Sequence, residues 1–270
     1  MLRSHLLLAA SILSYAVLQI RGDIMQSGNP VLGRGFEANP GVSTHDAAER
    51  MTLKGTLHKT AILLMLCLIT ATYTWGTLAQ GGEVQGLMIG GAIGGLIFAL
   101  VTAFKPHLAP VTAPIYALLE GLFLGGFSAF MEALYPDIAM QTVMLTFGTA
   151  VVMFLGFATG MIQVTARFRA VVMGATGAIM LFYVAGFVLG FFGVELPLIH
   201  GTGLMGIGFS LVVVGVAALN LVLDFDYITR AAHSGAPKSR EWYGAFALMV
   251  TLVWLYIEFL RLLAKLRESD

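Results

Sequence analysis

Five polar side chains stand inside segments that otherwise read as membrane helices. Asp224 and Asp226 lie in LNLVLDFDYI, residues 219–228, which closes an apolar run beginning near Gly203. Asn220 is one turn before Asp224 and shares its face, whereas Asp226 points elsewhere. Glu258 sits in WLYIEFLRLLAKL, and Glu120 in PIYALLEGLFLGG. A charge at the bilayer centre costs at least roughly 2.5–3.5 kcal/mol, so such residues face a protein interior or a water cavity and mark a pathway. A helix C-terminus is also an unfavourable place for a carboxylate, because the macrodipole is negative there. Carboxylate and amide oxygens suit two kinds of chemistry, proton binding and coordination of a hard cation such as calcium. The expectation is therefore an ion site that also senses protons.

Each residue has a plainer reading beside that one. Arg230, four residues after Asp226, is placed to pair with it, and Arg261 is three residues after Glu258. Asp224 and Asp226 then form an interfacial cluster satisfied by loop cations. Glu120 is either a polar group lining a route or a protonated side chain bonded to a neighbouring helix. If Asp224 and Glu258 meet across adjacent helices, they share a proton and titrate as one unit. Height opposes this. At 1.5 Å per residue Asp224 lies about 13 Å from the inner end of its helix and Glu258 about 25 Å. The pair needs tilt, a later helix start or a bridging water. Asp226 lies lower still and is the weaker candidate partner.

These residues need a membrane scaffold, and composition supplies one. Of 270 residues 58% are hydrophobic and 11% are charged, with mean hydropathy +0.86. A soluble domain carries about 25% charged residues. The chain reads as an all-α integral membrane protein in the lipid bilayer. The long apolar runs lack the alternation of an outer-membrane barrel. A net charge of zero gives no footprint for nucleic acid. The single cysteine, Cys67, lies inside a helix, so neither a disulfide framework nor a thiol metal site is expected. The histidines His45, His58, His107, His200 and His233 fall in loops or at helix ends, and His5 lies in the N-terminal stretch. No HExxH pair and no GxSG-like serine setting occurs, so an enzyme is not expected, and no cofactor is called for.

Residues 1–24 hold HLLLAASILSYAVL, which resembles a signal-peptide core or a short membrane helix without an A-x-A cleavage site. Either Met25 is the true start, or residues 1–24 form an extra hydrophobic helix. Residues 25–58 read as a polar arm, with Thr52 or Thr56 placed to cap the helix that follows. The membrane domain occupies residues 59–266. Seven apolar segments fall near 59–79, 86–104, 110–134, 138–160, 169–191, 203–228 and 242–265. Arg and Lys collect before the first segment and in the second, fourth and sixth connections; the other three connections have none. The positive-inside rule therefore puts the arm in the cytoplasm. Seven spans leave the C-terminus outside, where Arg261, Lys265 and Arg267 break the rule unless they snorkel. A re-entrant last segment is the alternative. The pairs Gly90/Gly94, Gly91/Gly95, Gly121/Gly125, Gly156/Gly160 and Gly186/Gly190 read as helix-packing surfaces.

SGNPVL, YALLEGLFLGG, LDFDYI and EWYGAFALMVTLVWLYIEFLRLL, in that order, resemble the bacterial branch of the Bax inhibitor family, the transmembrane Bax inhibitor motif proteins. The similarity runs from about residue 26 to 266. The resemblance implies a seven-helix bundle with the last helix central, in the bacterial inner membrane. It implies a calcium-permeable leak that opens with pH and takes part in stress responses. It also implies a proton-sensing acidic pair at the positions of Asp224 and Glu258, which would be transient calcium ligands. A Glu at the second position departs from the family's more frequent Asp. Relatives use a basic residue of the second helix, but Lys105 lies at the helix end and that role is not carried over. Some bacterial relatives are associated with a membrane-bound protease, so a regulatory partner without transport activity is the runner-up.

Cysteine labelling tests the orientation once Cys67 is replaced. Labels at Ser43 and Ser239 should react from the cytoplasmic side only, and a label at Gly82 from outside only. Ser43 and Gly82 reacting from the same side would overturn it.

Overall fold

The structure is a computed structural model that describes residues 49–190, 192–193, 201 and 203–269. The expectations for residues 1–24, and for the arm as far as residue 48, lie outside the described residues. Seven long helices follow in chain order: α1 (Leu53–Ala79), α2 (Gln85–Phe104), α3 (Ala109–Leu134), α4 (Ile138–Ala158), α5 (Ala166–Gly190), α6 (Leu204–His233) and α7 (Arg240–Ser269). A short 3-10 turn, Pro106–Leu108, joins α2 to α3. All seven are long and apolar enough to cross a membrane. In lipid a backbone must satisfy its own polar groups, and a helix does so within one segment.

The helix ends carry local signals. The Thr52 hydroxyl caps α1 by accepting from Gly55 N at 2.9 Å. Asp137 turns the chain between α3 and α4 in a left-handed conformation, φ 66°. The Glu132 carboxylate accepts from Asp137 N at 2.7 Å and Ala139 N at 2.9 Å. An anion there satisfies amides at the start of α4 that have no partner within the helix. Several helices extend beyond the apolar segments: α1 starts at Leu53 rather than 59, and α6 continues to His233 rather than 228. The added turns are polar, as expected where a helix leaves hydrocarbon. The last segment is one continuous helix, not a re-entrant one.

The helix order in space follows from what each buries. In α7 61% of the most apolar window is buried, against 17% in α1 and in α2. The last helix is central, packing against α1, α3, α4 and α6. Helix α2 lies outside, against α3, and α5 packs on α6. Met65, Ile69, Ile93, Leu96, Met144, Val152 and Leu181 are exposed, which fits a lipid-facing surface.

The glycine pairs divide into two kinds. A Cβ at Gly121 would stand 2.2 Å from Cys67 O, and one at Gly125 2.2 Å from Ala71 O, so both let α3 press onto α1. A Cβ at Gly91 would stand 2.6 Å from Leu119 O. Gly90 and Gly190 face open space, and Gly160 serves a turn at φ +73°. The packing expectation fails at these three because spacing alone does not say which face meets a neighbour. Gly125→Ala should lower stability by about 1–3 kcal/mol through overpacking, while Gly90→Ala should be nearly neutral. Comparable thermal midpoints for the two variants would contradict the α1–α3 contact.

Candidate functional site

Asp224 is fully buried and Glu258 is 1% exposed, both in the seam between α6 and α7. Asp224 Oδ2 accepts from the Thr251 hydroxyl at 2.6 Å. Thr251 Oγ1 also lies 3.3 Å from Ala247 O. A hydroxyl both donates and accepts, so this contact serves Asp224 in either protonation state. Ionised, Asp224 accepts from Thr251; protonated, it donates, and Thr251 turns to Ala247 O.

Glu258 is held differently. Its Oε1 accepts from the Tyr183 hydroxyl at 2.9 Å and from Arg261 Nη1 at 3.2 Å. Arg261 also donates to the Tyr183 oxygen at 2.9 Å and lies 5.1 Å from the Tyr183 ring centroid. The local pairing of Glu258 with Arg261 is therefore present, with Tyr183 of α5 added. Direct pairing of Asp224 with Glu258 is not: none of the Glu258 partners is Asp224. The height difference is the reason. Asp224 is level with Thr251, two helical turns before Glu258, a separation of about 10 Å along α7.

The remaining candidates fall into place around these two. Asn220 donates from Nδ2 to Thr176 Oγ1 of α5 at 2.7 Å and to Val216 O at 2.9 Å. Its Oδ1 is buried without a hydrogen-bond partner among the described residues. Asp226 points away from Asp224 and binds Arg230 Nε at 3.0 Å, as its spacing suggests, and also Arg169 Nη2 of α5 at 3.1 Å. Glu120 stands apart on α3, against α2; a Cβ at Gly95 would meet its Oε2 at 2.9 Å. Among the described residues no three His, Cys, Asp or Glu side chains are grouped so as to hold a metal ion.

One pattern escaped sequence reading. Arg169, Thr176 and Tyr183 repeat every seven residues on α5, and Thr251, Glu258 and Lys265 do the same on α7. Helix α6 runs the other way and meets them with Asp226, Asp224, Asn220, Ser210 and Gly206. Lys265 donates to Ser210 Oγ at 2.9 Å and to Gly206 O at 3.1 Å. It is buried rather than snorkelled, because these acceptors lie inside the bundle. The result is a polar stripe along α5, α6 and α7. From Asp226 to Gly206 it covers about 30 Å of α6, the thickness of a hydrocarbon core. The heptad spacing was the available signal, but Thr and Tyr did not register as polar landmarks.

With this geometry in view, the match to known families can be placed. The family model described as Bax inhibitor 1 like matches residues 29–268. The chain belongs to this family. No curated protein and no solved structure matches it. The family match spans all seven helices of the bundle, so the stripe lies wholly within the family's membrane domain.

Thr251 provides a direct test of the site. Thr251→Val keeps the shape but removes the buried hydroxyl that serves Asp224. The loss should be about 1–3 kcal/mol, the cost of stranding a buried polar group. Thr146→Val should cost less, because that hydroxyl bonds only Thr142 O of its own helix at 2.8 Å. Equal thermal midpoints for the two variants would show that the Asp224 contact carries no weight.

Proposed function

We propose that the protein is a pH-sensitive, calcium-permeable leak, gated by the carboxylates Asp224 and Glu258 and acting in a bacterial inner membrane with its N-terminal arm in the cytoplasm. The observation that carries this reading is the polar stripe of α5, α6 and α7 with two buried carboxylates in its middle. Membership of the Bax inhibitor 1 like family supports it, through the leak activity that the sequence resemblance implies. Buried ionisable groups inside membrane helices are costly and mark ion and proton routes. Transport rather than catalysis is the role that fits such a stripe.

The gate works through separate contacts and not through one shared proton. With Asp224 protonated, α6 and α7 are joined by a neutral hydrogen bond to Thr251. Losing that proton leaves a buried charge, which is relieved by water or a cation entering the seam. Asn220 Oδ1, one turn away, offers a further oxygen to a hard cation. Glu258 adds a second carboxylate, restrained by Arg261. Binding by scattered oxygens is weak, and weak binding is what a permeant ion needs in order to leave again.

Calcium flux into liposomes at several pH values tests this with the purified full chain. Asp224→Asn should flatten the pH dependence, and Glu258→Gln should displace it. Asp226→Asn should change it least, because Arg169 and Arg230 hold that group away from the seam. If both Asp224→Asn and Glu258→Gln fold normally and keep the wild-type profile, the leak reading is wrong. Regulation of a membrane-bound protease or a stress complex then becomes the leading reading.

A further inference from the structure

A basic cavity opens where the first turns of α1 meet the start of α7. It has a volume of about 610 Å³ and is lined by Arg50, Lys54, Lys59 and Lys238, with Glu241 as the one carboxylate among the described lining residues. Among the described lining residues four cations stand beside one anion, with His58 also in the wall. Glu241 is already occupied: it accepts from Thr52 N at 2.9 Å, from the Thr52 hydroxyl at 3.0 Å and from Lys59 Nζ. Its charge is used in tying α1 to α7.

A second feature continues from the cavity along α1. Lys54, His58, Ile62, Met65 and Ile69 follow one another at three- and four-residue spacings, which places them on one helix face. All five are exposed. The face is polar and basic through His58 and apolar from Ile62 on. Ile62 lines the cavity and is 38% exposed, while Met65 and Ile69 beyond it are 58% and 59% exposed. From Lys54 to Ile69 the face covers about 22 Å. Trp242 lines the same cavity and lies 5.6 Å beneath Lys59 Nζ. An aromatic ring of this kind marks the membrane–water interface. Cations at headgroup depth followed by an apolar track match a phospholipid, head first and then tail.

We propose that this cavity is a binding site for an anionic glycerophospholipid. The phosphodiester sits among Lys54, Lys238 and Arg50, and one acyl chain lies along Ile62, Met65 and Ile69. Basic pockets between membrane helices bind lipid headgroups in this way. The site is separate from the α5–α6–α7 stripe, so it does not depend on the leak reading.

The test uses the delipidated full chain in detergent, offered equal amounts of phosphatidylglycerol and phosphatidylcholine, with retained lipid measured by mass spectrometry. The wild type should retain phosphatidylglycerol in preference. Lys54→Gln and Lys238→Gln should each lower that preference about fivefold, the effect of one basic residue at a membrane surface. Lys54→Arg should restore it, which separates charge from folding. Lys105→Gln should leave it unchanged, because Lys105 is exposed and does not line the cavity. Equal retention of the two lipids, or an equal loss in Lys105→Gln, would overturn the proposal. Displacement of the lipid by glycerol 3-phosphate at matched concentration would also overturn it, in favour of a soluble phosphate ester.

Discussion

A carboxylate inside hydrocarbon must hold a proton or meet a donor, and the packing of α5, α6 and α7 answers that requirement. Asp226 meets guanidinium groups from α5 and from its own helix. Asp224 meets a hydroxyl from α7, and Glu258 meets a phenol from α5 and a guanidinium one turn on. These contacts fix the register. Sliding α7 by one turn against α6 would move Thr251 from Asp224 and Lys265 from Ser210 together. Apolar side chains alone would not set the register so strictly, because helices in lipid gain little from burying one apolar surface against another.

The seven-residue repeat makes one stripe from three helices. Seven residues fall about 20° short of two full turns, so three positions in series stay on one face. Helices α5 and α7 run parallel and carry their polar groups at matching heights. Helix α6 runs against them and supplies the complementary groups in reverse order. Cations stand toward both ends, Arg169 and Arg230 at one and Lys265 at the other, with Asp224, Asn220 and Glu258 between them. The acidic groups are thus flanked by positive charge toward both ends of the stripe.

Much of the fold was legible because hydrophobicity in a membrane protein is nearly one-dimensional. The seven apolar runs predicted the helices, while polar interfacial turns hid their true ends. The Asp226–Arg230 contact was legible because both residues lie on one helix at a fixed spacing. Thr251 was not, since nothing local marks one threonine among many as the partner of a carboxylate 27 positions away. Tyr183 and Arg169 were missed for the same reason, being on a helix whose face could not be assigned from its own sequence. The expected Asp224–Glu258 contact failed on height, and the helical rise had already pointed that way.

The separation of the two carboxylates changes how they communicate. At about 4 Å and an effective dielectric of about 20, two charges interact by about 4 kcal/mol; at about 10 Å the figure falls to about 1.7 kcal/mol. Arg261 stands beside Glu258 and offsets part of its field, so the influence on Asp224 is smaller again. The Thr251 hydroxyl, at 2.6 Å, is a far nearer neighbour of the Asp224 carboxylate than the Glu258 charge. The Glu258 carboxylate is compensated within its own cluster, by Arg261 and the Tyr183 hydroxyl. Under the proposed gating the two carboxylates are therefore coupled through the field between them and not through a shared proton. Tyr183 and Arg261 set that field at the Glu258 end, and neither is a hydrogen-bond partner of the Asp224–Thr251 contact.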